Sequence, residues 1–388
     1  MSWRRRWLLA VPAALALLAG LVALALGPGR IADSVRLLRS TTQALDDPGS
    51  IAVDRERLRY SIRGLERIAD LYRSPARAEA ALVLVPGATP LGLDDPALMA
   101  FAGALARSGF LVLVPRLAGD DPVRVSAADA EPIADALAYL TAQSGVEHAG
   151  LAAISYAAGP AFLAALKEEA RMRIAFLFVI GGYYDITAAV TYLTTGHYRD
   201  SPNHPWREGP VDDRAKWRFL LANADRIGAS DTALLRRIAR LKLRDPDSEI
   251  DHLSAMLSED GKAAWRLLVN SEPERTPALI AGLPAGLRRS LEALDLARRD
   301  LSTLEFPVLL VHGRDDPMIP PAESRALERA LPSETTELIM PDSLFHVRFR
   351  ALGAADAFGL FRLAYRLMTL RDRAPAPTRR PGPSSGAF

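Results

Sequence analysis

The chain has no cysteine. That excludes disulfides, a thiolate nucleophile and any cysteine-ligated metal, while leaving the redox compartment open. It also lacks an excess of either charge: 48 basic against 46 acidic residues leave a formal net charge of +2 over 388 residues. Such a balance provides no basic face or stripe, so nucleic acid is not an expected partner. No repeat with a period of roughly 20–50 residues is visible, which argues against a solenoid. Beyond the N-terminus no apolar run is long enough to span a bilayer, which excludes a transporter with many spans. What remains is an ordinary globular composition, 49% hydrophobic and 24% charged, with length for one large core plus an insertion.

The N-terminus carries a targeting signal. Arg4, Arg5 and Arg6 precede an uncharged run from Trp7 to Gly29, about the ~20 residues that a spanning helix needs. The arginines favour a cytoplasmic N-terminus with the remainder translocated. Residues 1–29 are therefore expected to be a signal anchor, a single transmembrane helix in the inner (plasma) membrane with the following domain on the extracytoplasmic side. The alternative is a cleaved signal peptide, for which Ala23-Leu24-Ala25 supplies a small-x-small site, leaving a secreted or periplasmic protein.

Residues 30–50 look like an amphipathic stalk ending at the turn Asp46-Asp47-Pro48-Gly49. The tail 371–388, rich in Pro, Gly, Ser and Arg, is expected to be disordered. Between them, short apolar runs alternate with helical patterns. Buried strands are expected at 81–87, 110–116, 149–155, 174–182, 306–313 and 336–341. Helices are expected at 96–109, 130–145, 156–170, 322–331 and 354–370. Continuous apolar strands alternating with helices imply a doubly wound, mostly parallel α/β sheet covered on both faces. The alternation stops from 185 to 304, where the pattern is helical. The core is then split into 51–184 and 305–370, and the helical insertion lies as a lid over the carboxyl ends of the strands, where open α/β sheets hold their ligands.

Three residues stand at the ends of these strands. Ser155 follows AGLAAI and opens a helix without a loop. A sharp strand-to-helix turn there exposes the hydroxyl and leaves the next N–H aimed at a bound oxyanion. The turn needs small residues on both sides, here Ala153 and Ala157. A plain helix cap is the competing role for this serine. Asp316 lies in FPVLLVHGRDDPMIP, just past a strand, where a carboxylate can hold an imidazole in the required tautomer. Asp315 qualifies by type as well, and a purely turn-forming Asp-Asp-Pro is the alternative. His312 reads as structural. Of the six histidines, His346 alone follows a late strand; His148 precedes a strand at the other sheet edge, and His197, His204 and His252 fall in the insertion.

From about Leu65 to Leu370 the chain resembles the α/β-hydrolase superfamily. The order Ser, Asp, His, each after its own strand, is that family's triad order. DLYRSPARAEAALVLVPGA resembles the start of its dienelactone-hydrolase and serine-esterase-like branch, and HGRDDPMIP its acid motif. The resemblance implies Ser155 as nucleophile, His346 as base and Asp316 as acid, with Asp185, after the strand that follows the elbow, as another candidate acid. It places the oxyanion donors on the backbone N–H groups of Ala88 and Tyr156. Two departures stand out: Pro86 where histidine is common, and alanine for both elbow glycines.

The implied activity is hydrolysis of a carboxylic ester through an acyl-enzyme, with no metal and no cofactor. A peptidase is a lesser alternative, since nothing reads a peptide terminus. The expected substrate is a small-molecule ester or a lipid-like one, brought near by the membrane tether. Tyr183, Tyr184, Tyr192, Trp206 and Trp217 either line an acyl pocket or pack the insertion's own core. The rival class is a catalytically silent hydrolase fold serving as a membrane-tethered binding or scaffold module.

Overall fold

The computed structural model describes residues 27–46, 53–117, 124, 126–342, 344–345, 348–349 and 354–379. The apolar run of the expected anchor lies almost wholly outside them, as does His346. Among the described residues no helix is long and apolar enough to cross a membrane.

Eight strands form one sheet: β1 Asp54–Ile62, β2 Leu65–Arg73, β3 Ala80–Val85, β4 Phe110–Pro115, β5 Ala149–Ile154, β6 Ile174–Ile180, β7 Val308–Val311 and β8 Thr336–Ile339. Their order is β1-β2-β4-β3-β5-β6-β7-β8. β1 and β2 form an antiparallel hairpin, and β2 runs antiparallel to β4. All other pairs are parallel. β3 and β4 are buried at every position, as strands covered on both faces must be.

Two helical layers provide that cover. α1 Pro28–Asp46, α2 Pro96–Arg107 and the final helix, α12 Ala354–Arg373, pack on one face with Leu82, Val112 and Phe176. α3 Ala130–Ser144, α4 Ala158–Ala165 and α11 Pro321–Ala330 pack on the other with Val83, Leu151 and Leu177. The single helix expected over 156–170 is divided. A 3-10 turn, Ser155–Ala157, precedes α4, and a one-turn helix, Glu168–Arg171, follows after the extended Lys167.

Between β6 and β7 lie α5 Ile186–Thr195, α6 Ala215–Ile227, α7 Thr232–Arg244, α8 Glu259–Leu268, α9 Thr276–Ala281 and α10 Ala285–Leu294. One two-residue ladder, His197–Tyr198 with Arg207–Glu208, interrupts the helices. This insertion has its own core, in which Trp217, Leu220, Leu235, Ile238 and Leu287 are buried and which extends to Tyr183 and Ile319.

Two terminal segments differ from the sequence reading. The expected stalk forms α1 over its described part. Ser34, Leu37, Ser40 and Thr41, spaced at three and four residues, are buried, so the amphipathic face is docked on the domain rather than free. α12 is Ala354–Arg373, so the expected disorder does not begin at 371. Arg371 is buried, and the N–H groups of Thr378 and Arg379 donate to the Ser144 carbonyl at 2.9 and 3.1 Å.

Candidate active site

β5 is a central strand whose residues are buried up to Ala153. It ends at Ile154, and Ser155 follows in the left-handed region with φ +59°. That conformation costs an L residue about 1–2 kcal/mol. Among the described non-glycine residues only Arg63, in the β1–β2 turn, shares a positive φ. Strain of this kind persists only where the surroundings over-determine it. Here the buried β5 on one side and Ala157, Ala158 and Ala161 in the core on the other fix both ends of the turn. The helix-cap role is not what is built, because Ser155 occupies neither cap position: Ile154 precedes the 3-10 turn and Ala157 precedes α4. The N–H of Tyr156 falls in the first helical turn and has no intrahelical acceptor.

The turn after β3 lies against this elbow. Val85 stands opposite Ala153 in the parallel register. A β-carbon on Gly87 would sit 3.3 Å from the Ile154 carbonyl oxygen. Ala88 follows Gly87 and is exposed. The backbones bearing both expected oxyanion donors are thus neighbours.

Asp316 is fully buried after β7, while Asp315 beside it is exposed. Asp316 Oδ1 accepts from the N–H groups of Met318 and Ile319 at 2.8 and 3.0 Å, and Oδ2 is 3.5 Å from His312 Nε2. Two tyrosines hold the same loop. Tyr192 donates its hydroxyl to the Asp316 carbonyl at 2.8 Å. Tyr156 donates its own to the Met318 carbonyl at 3.2 Å. Burial first, and the Asp316 charge second, raise the pKa of both hydroxyls, which keeps them donors. The elbow and the Asp316 loop are therefore joined directly.

His312 is buried, with Nδ1 2.6 Å from Ser324 Oγ and Nε2 2.9 Å from the Ile319 carbonyl. A carbonyl only accepts, so Nε2 carries a proton. Its role is to brace the loop. The segment preceding His346 runs against the same loop: a β-carbon on Gly313 would lie 1.7 Å from the Leu344 carbonyl oxygen. Leu344 and Phe345 pair with Phe349 and Arg348. His346 itself lies outside the described residues.

Asp185 follows β6 and immediately precedes α5. Its Oδ1 accepts from the N–H groups of Thr187 and Ala188 at 2.7 and 3.1 Å, capping α5. Of the five aromatic residues considered for a pocket, Tyr183, Tyr192 and Trp217 are buried. The Tyr183 hydroxyl donates to the Leu294 carbonyl at 2.9 Å. Trp206 is half-buried beneath the Arg199 guanidinium, 4.4 Å from its ring. Tyr184 is half-buried against the sheet core.

One buried group carried no sequence signal. Glu323, near the start of α11, accepts from the N–H groups of Tyr184 and Asp185 at 2.9 and 2.7 Å, where the insertion leaves β6. Burial pushes its carboxyl up to about 8, with Asp185 and Asp295 adding to the rise against the pull of the two N–H bonds.

An eight-stranded sheet of this order, with a serine on a strained turn after β5 and a buried aspartate after β7, has the fold of the α/β-hydrolases, the superfamily that the chain resembles. Similar solved structures include a serine hydrolase from the polyaromatic-hydrocarbon-degrading bacterium Cycloclasticus zankles, with 13% identity over 82% of this chain and 95% of that one and a TM-score of 0.43. Another is the 2-hydroxy-6-oxo-6-phenylhexa-2,4-dienoate hydrolase of Rhodococcus sp. strain RHA1, with 19% identity over 81% and 100% and a TM-score of 0.45. A third is the haloalkane dehalogenase DbeA of Bradyrhizobium elkani, with 15% identity over 82% and 98% and a TM-score of 0.42. No protein-family model and no curated protein matches the chain.

Proposed function

We propose that the protein is a serine hydrolase that cleaves a carboxylic ester. The observation that carries this reading is Ser155: a non-glycine residue held at φ +59° at the end of β5, without a capping role for its side chain. In this reading the Ser155 hydroxyl attacks the ester carbonyl while His346 takes its proton. The carbonyl oxygen becomes an oxyanion received by the N–H groups of Ala88 and Tyr156. His346 returns the proton to the departing alkoxide, leaving an acyl-Ser155. Water, deprotonated by His346, releases the acid and restores the serine. Asp316 orients the imidazole. The carboxylate is itself oriented by the Met318 and Ile319 N–H groups and sits on the loop joined to Tyr156.

The helical insertion acts as a lid over the crevice, since it contacts the Asp316 loop through Tyr192 and through the Asp212 N–H, 2.9 Å from the Pro317 carbonyl. The apolar run at 7–29 anchors the protein in the inner membrane, with the domain outside the cytoplasm. A second reading, a silent hydrolase fold used as a scaffold, draws on Ala153 and Ala157 in place of the elbow glycines.

Labelling of the full chain with a fluorophosphonate probe separates the two. The active enzyme labels covalently at Ser155, and Ser155→Ala neither labels nor turns over a nitrophenyl ester. Undiminished turnover in Ser155→Ala refutes the assignment, and a folded wild-type chain that never labels supports the scaffold.

A further inference from the structure

We infer that the apolar N-terminal segment enters its membrane at the foot of the sheet, the edge opposite Ser155, so that the crevice opens away from the bilayer and takes a water-borne ester. The ester substrate rests on the hydrolase reading above, and the orientation rests on the membrane-anchor reading there.

The argument begins at Gly27. The apolar run Trp7–Gly29 overlaps the start of α1 at Pro28. Gly27 has φ +80°, and its carbonyl accepts from the Ile31 N–H at 3.2 Å. The docked helix thus starts where the apolar run stops, with no spacer between them. α1 is then fastened within its first two turns. Arg30 Nε is 2.7 Å from Asp372. Asp33 lies 2.8 Å from the buried Arg371. Arg371 also donates to the Ser108 carbonyl at 2.7 Å and pairs with Glu79 at 2.9 Å.

Those partners define one edge of the sheet. Glu79 immediately precedes β3 and Ser108 lies just before β4; the Glu79 N–H donates to the Gly109 carbonyl at 2.7 Å. Ser155 follows the opposite end of β5, which runs parallel to β3. A six-residue strand at ~3.3 Å per residue separates the two edges by about 20 Å. A bilayer held against Arg30 and Asp33 therefore lies about a strand's length from the site. An acyl chain resident in that bilayer would have to be drawn wholly out of it to reach Ser155, giving up its apolar environment methylene by methylene. A dissolved ester meets no such barrier.

The absence of cysteine makes the test direct. Single cysteines at exposed positions, Arg77→Cys beside Glu79 and Leu91→Cys in the turn after β3, are labelled with a donor dye. The full chain is reconstituted into phosphatidylcholine vesicles containing headgroup-labelled acceptor lipid. Stronger energy transfer from position 77 than from position 91 is the expected result. Equal transfer, or stronger transfer from 91, overturns the orientation. A chain that fails to float with the vesicles overturns it too. Fluorophosphonate labelling of the same samples reads the hydrolase assignment separately, so the two failures are distinguishable.

Discussion

Tyr156 and Met318, distant in sequence, are joined by a hydroxyl-to-carbonyl hydrogen bond of 3.2 Å. Through it the residue after the strained serine is fixed to the loop that holds Asp316. Tyr156→Phe removes the donor and leaves the Met318 carbonyl unpaired, at a cost of roughly 1–2 kcal/mol. The expected outcome is a lower denaturation midpoint with an unchanged slope, together with a reduced kcat. Both are read from urea unfolding and ester turnover of one preparation.

The two candidate acids part company by environment. Asp316→Asn removes a buried carboxylate from the site loop and should lower kcat on the order of 10⁴-fold, as losing the carboxylate behind a catalytic imidazole does. Asp185→Asn keeps a side-chain oxygen able to cap α5 and should leave kcat near the wild-type value. Steady-state kinetics of the two variants decides, and a reversal of the pattern would move the acid role to Asp185.

Gly313 has no room for a side chain beside the Leu344 carbonyl. Gly313→Ala forces apart the Asp316 loop and the strand that leads to position 346. The expected cost in stability is about 1–3 kcal/mol, the range for an overpacked site. The expected loss of turnover is larger than that of folding, since the displaced segments carry or lead to the proposed acid and base. Melting temperature and kcat, measured side by side, test the order of the two effects.

Glu323 gives stability a pH dependence of known sign. Its carboxyl is raised from 4.5 to about 8 in the folded chain, mainly by burial. Between those values the folded protein binds a proton that the unfolded chain lacks, so stability falls as pH rises. The contribution is complete below about 4.5 and lost above about 8. The loss is on the order of a few kcal/mol. Glu323→Gln keeps an acceptor for the Tyr184 and Asp185 N–H groups while removing the titration. Thermal melts across this window should show a flatter pH dependence in the variant. A residual slope of the same sign is expected from Asp295, which burial also raises.

The sheet was legible in sequence where strands are buried on both faces. The runs in β3, β4, β5 and β6 are continuous apolar stretches, and the structure alters them only at their ends. β1, DRERLRYSI, was not legible: it is an edge strand with polar residues on its outer face, and only Leu58 and Tyr60 are buried. α1 showed its amphipathicity, but the pattern does not say what receives the apolar face, so a docked helix read as a stalk. At the site, sequence alone offered Asp315 and Asp316 as equals by type, and burial separates them. Glu323 could not have been found, because its partners are backbone N–H groups 139 and 138 positions away in the chain. A lone glutamate in a helix carries no mark of such an environment.

The docking of α1 also dictates where the chain can be shortened. A version cut after Asp46 would uncover the apolar seat of Leu37 on α2 and α12 and leave the Arg371 guanidinium without Asp33. Such a fragment should clump during purification for reasons unrelated to catalysis. A handleable water-soluble form has to retain the chain from Gly27 onward and discard only what comes before it.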